Sequence, residues 1–481
     1  MIVRLSDGRS LPIEMYKVRI VQKTTLPPIS QRLTAIEEAG YNTFLLWTKD
    51  IFIDMLTDSG TNAMSDNQLA AMMVSDDAYA GGESYRKLGC AVKDILGFDY
   101  YVPAHQGRAA EHLLAKIFCR PGTVVPMNYH FTTTKAHFEM GGARVLEIFH
   151  DDAMETTSDN PFKGNIDLDK LKEVIKRYGP ENIPFVRLEA TTNLIGGQPF
   201  SMANLRGVRE MVAPHKIPVV LDGSLVSENA YFIKCREQGY QDTSIEDIVK
   251  EMMSLSDLVY LSGRKSTCVR GGLLATNNPE YFNELKAWLP VYEGFITYGG
   301  MSSKEIEAMA VGLREMVDLD VASSSADLIK DFVDKMVARG LPAVTPAGGL
   351  AGHVDAMKFL SHLPQEHYPA GALAAALFLV SGVRSMERGT ISMDRDEQGN
   401  DVLSDLELCR MAVPRRVYTM SHIDYVVDRL GWLHDHRELV GGLEFYEEPP
   451  VLRFFTGKLK ALDDWGTKLA AAFEADFGPH V

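Results

Sequence analysis

Lys265 stands in "LSGRKSTCVRGG", residues 261–272, just after the short apolar run "DLVYL". An amine at the end of such a run is a candidate nucleophile, because lysine condenses readily with carbonyl groups. Asp222 closes another apolar run, "IPVVL", where a carboxylate is costly unless a cation or hydrogen-bond donor meets it. Gln106, Gly107 and Arg108 follow a third, "YYVPAH", and open the helical pattern "AAEHLLAKIF". Free N–H groups at a helix start beside a guanidinium suit a phosphate. Each group alone has a plainer reading: a solvated basic pair for Arg264 and Lys265, a capping aspartate at 222, a glycine turn with a surface arginine at 106–108.

The elements that must position these residues follow a regular alternation. Helical patterns ("LGCAVKDILGF", "AEHLLAKIF", "LDKLKEVIKRYG", "SMANLRGVREMVAPHK", "SIEDIVKEMMS") alternate with short apolar runs ("YYVPAH", "TVVPM", "IPFVRLEA", "IPVVLDGS", "DLVYLS", "RGGLLATN"). Apolar runs separated by helices predict an α/β domain with a mainly parallel sheet covered on both faces. Such a sheet places its chemistry at the carboxyl ends of the strands, where all three groups fall. Beyond about residue 325 the pattern changes to helices mixed with short strands ("HVDAMKFL", "LCRMAVP"), which predicts a smaller α+β domain. An amine, a carboxylate and a phosphate site at neighbouring strand ends are what pyridoxal 5'-phosphate requires: a Schiff-base lysine, a partner for the pyridine nitrogen, and an anchor.

Composition narrows the function classes. With 65 acidic against 49 basic residues the net charge is -16, and no Lys/Arg block offers a footprint for nucleic acid. The N-terminus carries charges throughout and lacks the apolar core of a signal peptide, and no charge-free run is long enough to span a bilayer; a cytoplasmic protein with no membrane partner is expected. The five cysteines lack metal-ligand spacing and read as reduced packing residues.

Longer stretches carry a resemblance. "EEAGYNTFLLWTKDIFIDMLTDSGTNAMSD", "DDAYAGGESY", "PAHQGRAAEHLL", "FTTTKAHFE", "NLIGGQPFSMANLRGVRE", "SENAYFI", "VYEGFITYGG", "SGVRSMERG", "PRRVYT" and "LRFFT" occur in one order, nearly end to end. The chain thereby resembles the β-eliminating lyases, the family of tyrosine phenol-lyases and tryptophanases, and its phenol-lyase branch most. The resemblance implies a fold-type I (aspartate aminotransferase-like) pyridoxal-phosphate enzyme, a homotetramer acting on a small amino acid. It implies an N-terminal arm and part of the small domain at 1–57, a cofactor-binding large domain at 58–322 and a C-terminal small domain at 323–481.

On matching positions, the family pattern makes Lys265 the Schiff-base lysine and Asp222 the partner of the ring nitrogen. Gln106, Gly107, Arg108 and Ser262 would hold the phosphate, Phe131 would stack on the ring, and Asn193 would bond the ring oxygen or the substrate. Arg410 matches the arginine that grips the substrate carboxylate, with Thr57, Ser59, Phe295, Phe454 and Phe455 lining the substrate pocket. Tyr79 matches the acid that protonates the leaving ring carbon; Arg388 and Thr132 match the pair on the phenolic oxygen.

Several positions depart from the pattern. Leu225 replaces an arginine three residues after Asp222, Arg264 replaces a lysine, Leu350 a histidine and Phe295 a methionine. At the family's monovalent-cation site Gly60 persists and Asp77 matches a glutamate, but Arg270 replaces an asparagine, which argues against a potassium requirement. The expected activity is carbon–carbon β-elimination of tyrosine or a substituted relative. The rivals are another pyridoxal-phosphate reaction, C–S β-elimination of a cysteine conjugate or transamination, which the departures favour, and, last, a non-catalytic cofactor-binding scaffold.

Overall fold

The computed structural model describes residues 2–479, and the chain divides into two compact units. Ser59–Ala153 and Asn160–Ala326 form one; Ile2–Asp58, Met154–Asp159 and the chain from Asp327 onward form the other.

The first unit is built on a seven-stranded sheet: β1 (Tyr100–Ala104), β2 (Val124–Met127), β3 (Arg144–Glu147), β4 (Val186–Glu189), β5 (Val219–Asp222), β6 (Leu258–Ser262) and β7 (Gly272–Thr276). The spatial order is β1-β7-β6-β5-β4-β2-β3; β7 runs antiparallel to both neighbours and the other strands share one direction. In β5, Val219 and Leu221 enter one apolar core while Val220 enters the other. Burial on both faces explains why such strands read as unbroken apolar runs. The α/β class and the mainly parallel sheet are as the alternation predicts.

Several elements of this unit escape the periodicity, among them one strand and two helices with plain physical reasons. β3 is one of the two edge strands and only partly buried, so its residues carry no two-sided apolar signature. The helix Thr132–Met140 opens with three threonines, whose branched side chains lower helix propensity. The helix Val226–Arg236 follows β5 and is buried on most sides, which blurs any amphipathic stripe.

The second unit holds a three-stranded antiparallel sheet, β8 (Ala351–Asp355), β9 (Met386–Arg388) and β10 (Leu408–Ala412), in the order β8-β10-β9. Every residue of the helix Pro369–Ser381 is buried, which fits its nearly all-apolar sequence "PAGALAAALFLVS". Residues from both ends of the chain, such as Ile36, Ile53, Leu459 and Phe473, share one core with it.

All five cysteines are free thiols. The packing reading holds for Cys119, Cys268 and Cys409 but is corrected for Cys90 and Cys235, which are exposed because they fall on the outer faces of their helices.

Leu377 lies fully buried in the helix Pro369–Ser381, whereas Val337 is 49% exposed. Leu377→Ala is expected to cost about 2–5 kcal/mol through a cavity, and Val337→Ala to stay within about 0.5 kcal/mol. Urea unfolding midpoints check the contrast; equal midpoints would contradict this placement of the core.

Candidate active site

Asp222 is the last residue of β5, Ser262 the last of β6, and Lys265 follows in the loop leading to β7. Parallel pairing sets Asp222 beside Glu189 on β4 and beside Tyr260 on β6. Arg187, two residues before Glu189, therefore lies on the same face of the sheet. Its guanidinium is fully buried and donates to Asp222 Oδ2 at 2.7 Å, to Glu189 Oε2 at 3.2 Å, to the Tyr260 hydroxyl at 2.8 Å and to the Tyr129 carbonyl at 3.1 Å. Burial works against the charge on Arg187, but Tyr260, Glu189, Asp222 and Glu111 outweigh it and raise its pKa.

Ser224 joins the Asp222 strand end to the lysine loop. Its N–H donates to Asp222 Oδ1 at 3.0 Å, and its hydroxyl accepts from the Ser262 N–H at 3.0 Å. Its carbonyl accepts from the hydroxyl of Ser266 at 2.8 Å and from the N–H of the same residue. Lys265 is thus bracketed on both sides by contacts to one turn. From further up the chain, the Asn62 side chain donates to the carbonyls of Arg264 at 2.8 Å and Lys265 at 3.2 Å. Lys265 Nζ lies 5.6 Å from the centre of the Phe131 ring, and Asn193 is buried with its N–H on Glu189 Oε1 at 3.1 Å.

The structure also brings together an anion pocket. Gln106 caps the helix α1 (Gly107–Phe118) without a side-chain bond, leaving its first N–H groups open. A Cβ on Gly107 would meet Ser262 Cβ at 2.8 Å, and one on Gly272 would meet the Gln106 carbonyl carbon at 2.5 Å, so the strand ends and the helix start approach as only glycine allows. Arg264 is half-buried, and burial together with the charges of Arg270 and Arg108 lowers its pKa. Its Nε is buried without a hydrogen-bond partner. Arg264 and Arg108, like charges beside the start of this helix, favour an anion there. With Lys265, Phe131 and Asp222 in the same unit, the donor set fits pyridoxal phosphate: Gln106, Gly107, Arg108, Ser262 and Arg264 for the phosphate, Lys265 for the aldehyde, Asp222 for the ring nitrogen.

The remaining candidates of this unit lie elsewhere on it. Tyr79 is 72% exposed, its ring stacked on Phe295 at 5.8 Å and edge-on to Tyr298. Thr132 is the first residue of the helix behind Phe131. Gly60 donates its N–H to the Arg264 carbonyl, and a Cβ there would meet the Arg264 guanidinium at 2.8 Å. The cation against the Gly60 backbone is therefore Arg264, whereas Arg270 is exposed. Ser59 is partly buried and Asp77 is exposed.

In the second unit, Arg388 ends β9 and Arg410 sits in the middle of β10, both buried. Arg388 donates to the Ser404 hydroxyl at 2.6 Å, and Arg410 to the Leu56 carbonyl at 3.0 Å, next to Thr57. Burial, followed by the opposing effects of Asp58 and Arg388, brings the Arg410 pKa down to about 10. Phe454 and Phe455 have ring centres 4.0 Å apart; Phe454 is a core residue, and Phe455 is partly buried against the same core. Leu350 is buried.

The motifs of the sequence do not single out Arg187, Glu189, Glu111 or Ser224. A signal exists for the first two: "FVRLEA" puts two charges at alternate positions of an otherwise apolar strand, where only a partner makes burial tolerable.

Residues 54–429 match the family model described as β-eliminating lyase. A tyrosine phenol-lyase of Pasteurella multocida is 45% identical over 94% of this chain and 99% of its own length. One from Clostridium tetani is 46% identical over 95% of this chain and 100% of its own length. Among solved structures, serine palmitoyltransferase of Sphingomonas wittichii superposes with a TM-score of 0.57 at 12% identity, covering 81% of this chain and 88% of its own. At that identity the likeness speaks for the fold alone.

Ser224→Ala removes the acceptor of the Ser262 N–H and leaves the other contacts in place. Affinity for pyridoxal phosphate is expected to fall about threefold to tenfold, the equivalent of one hydrogen bond. Absorbance titration of the apoenzyme measures it; an unchanged dissociation constant would show that the bond does not hold the lysine loop.

Proposed function

From the premise that the chain belongs to the β-eliminating lyase family and is a pyridoxal-phosphate-dependent lyase, we propose that it cleaves tyrosine, or a ring-substituted relative, with water to a phenol, pyruvate and ammonia. The observation that carries the phenolic substrate is Arg388, a buried guanidinium one strand away from Arg410 and on a position that the family resemblance assigns to the phenolic oxygen.

When bound, the cofactor supplies an electron sink that makes the substrate α-proton acidic. The chain's own residues do the rest. Arg410 grips the α-carboxylate, a task that suits a planar fork of donors. Lys265 Nζ takes the α-proton as general base. Arg388 and Thr132 hold the phenolic oxygen, and Tyr79 gives a proton to the ring carbon, so that the ring leaves as a neutral phenol rather than a carbanion. An exposed phenol makes a poor acid catalyst in bulk water, so the role of Tyr79 entails its burial by another copy of the chain, consistent with a homotetramer. Among the described residues no helix is long and apolar enough to cross a membrane, and we place the enzyme in the cytoplasm.

One observation favours a second reading. Leu225, buried and apolar, leaves the ring side of the cofactor site without the guanidinium of the family pattern. C–S β-elimination of a cysteine conjugate, with a better leaving group, or transamination would tolerate that loss.

A panel of amino acids assayed for phenol, thiol and keto acid separates the readings; thiol or keto acid without phenol would overturn the first. Arg388→Ala is expected to lower kcat/KM for tyrosine at least 100-fold, about 2.7 kcal/mol, while sparing S-substituted cysteines. Equal loss on both substrate classes would remove the assigned role of Arg388. Lys265→Ala is expected to abolish turnover and the borohydride-fixed label on the protein; retained labelling would sink the cofactor assignment.

A further inference from the structure

The chain leaves β9 at Arg388 and returns to β10 at Leu408, and Ser404 lies on the returning stretch. Its hydroxyl accepts from Arg388 Nη1 at 2.6 Å. Both of its backbone groups are also tied: the N–H donates to the Thr390 hydroxyl at 3.2 Å, and the carbonyl accepts from the Gln365 side-chain amide at 2.7 Å. Thr390 in turn donates its hydroxyl and its N–H to Glu407 Oε1, at 2.6 Å and 2.7 Å. Arg388, Thr390, Ser404 and Glu407 are all buried. A Cβ at Gly389 would meet Glu407 Oε2 at 2.1 Å, so the glycine leaves room for that carboxyl group directly after Arg388.

These contacts divide the tasks. Besides Thr390, Glu407 accepts from the Gln365 amide at 3.2 Å and from the Ala370 N–H at 3.3 Å, which fixes the returning stretch to the rest of the unit. Glu387, the chain neighbour of Arg388, accepts from the Gly389 N–H at 2.9 Å and from the Ser392 hydroxyl, which fixes the turn that leaves β9. The Thr390 carbonyl accepts from Arg453 Nη2 at 2.9 Å, so the segment entering Phe454 is tied to the same turn. Ser404 differs from the two glutamates because it is neutral and meets the guanidinium itself. A hydrogen bond from a charged donor is stronger than one between neutral groups, and a hydroxyl orients a guanidinium without cancelling its charge. Holding a long, rotamer-rich side chain in place beforehand also lowers the entropy lost when a ligand binds to it.

We propose that Ser404 is a positioning residue of substrate specificity: its hydroxyl holds the Arg388 guanidinium in the orientation that receives the phenolic oxygen, and Thr390, Gln365 and Glu407 hold Ser404. The inference rests on the reading of Arg388 as the group on the phenolic oxygen. Its effect is confined to substrates that carry that oxygen, because Ser404 acts through Arg388 and not on the α-carboxylate or the cofactor.

The test compares two substrates on the holoenzyme, tyrosine and an S-substituted cysteine. In Ser404→Ala, kcat/KM for tyrosine is expected to fall about tenfold, the equivalent of one hydrogen bond to a charged group, with the cysteine conjugate within about twofold of wild type. Ser404→Thr, which keeps a hydroxyl, is expected to recover most of the loss. In an Arg388→Ala background, Ser404→Ala is expected to cost tyrosine turnover nothing further, since the group it positions is gone. Unchanged tyrosine turnover in folded Ser404→Ala overturns the proposal. So does equal loss on both substrates, or a full further loss in the Arg388→Ala background, either of which marks a merely structural role. Should Ser404→Ala not fold, Ser404→Cys takes its place as a poorer acceptor of similar shape: the same selective loss is expected, and none overturns the proposal. A wild-type protein that forms no phenol from tyrosine, or Arg388→Ala that keeps full tyrosine turnover, undoes the reading of Arg388 and the role of Ser404 with it. Loss in Arg388→Ala without loss in Ser404→Ala undoes the role of Ser404 alone.

Discussion

The buried ion pair between Arg187 and Asp222 is the interaction on which the site proposed in the first unit depends. A carboxylate at a strand end must be both desolvated, to act strongly on a ring nitrogen, and fixed, to act on the same atom every time. Arg187 does both from beneath, since its side chain rises from the neighbouring strand and is sealed by Tyr260 and the Tyr129 carbonyl. Removing one partner of such a pair leaves an uncompensated charge, a cost of about 3–5 kcal/mol. The pair is therefore a weak source of stability and a strong source of position.

Position then passes through the backbone. Asp222 holds the Ser224 N–H; Ser224 holds Ser262 and Ser266; those two enclose Lys265. Every link is a short-range contact at the carboxyl ends of adjacent parallel strands, so sheet pairing alone brings the amine and the carboxylate to one edge. The glycines at 107 and 272 let the helix start close on that edge, where the open N–H groups and two like-charged arginines favour an anion.

How much of this the sequence discloses depends on the kind of signal. Six of the seven strands of the large sheet are legible as apolar runs because two-sided burial leaves a mark in composition. Arg144–Glu147 is not, since this edge strand is only partly buried and carries charged residues at both ends. The strand-end positions of Lys265, Asp222 and Gly107 follow from the same pattern, because crossover topology fixes which end of a strand carries loops. Arg187 and Glu189 are different. Their meaning lies in a register between strands, Glu189 against Asp222, which no single segment encodes. Ser224 is similar: a serine two residues after an aspartate reads as an ordinary turn until its three partners are seen. The exposure of Tyr79 is equally hidden, because a motif names a residue type and not its surroundings.

Leu225 adds no charge to a buried cluster that already holds more carboxyl groups than guanidinium groups. In an interior of low dielectric the number of charges is constrained more tightly than their locations. Carboxyl groups at 111, 189 and 222 outnumber the one buried guanidinium among them, that of Arg187. Arg187 limits that excess, and protonation of the glutamates removes the rest: burial raises both Glu111 and Glu189 to about 7. Burial thus favours a proton on these two glutamates, whereas a guanidinium stays charged at every pH the protein meets.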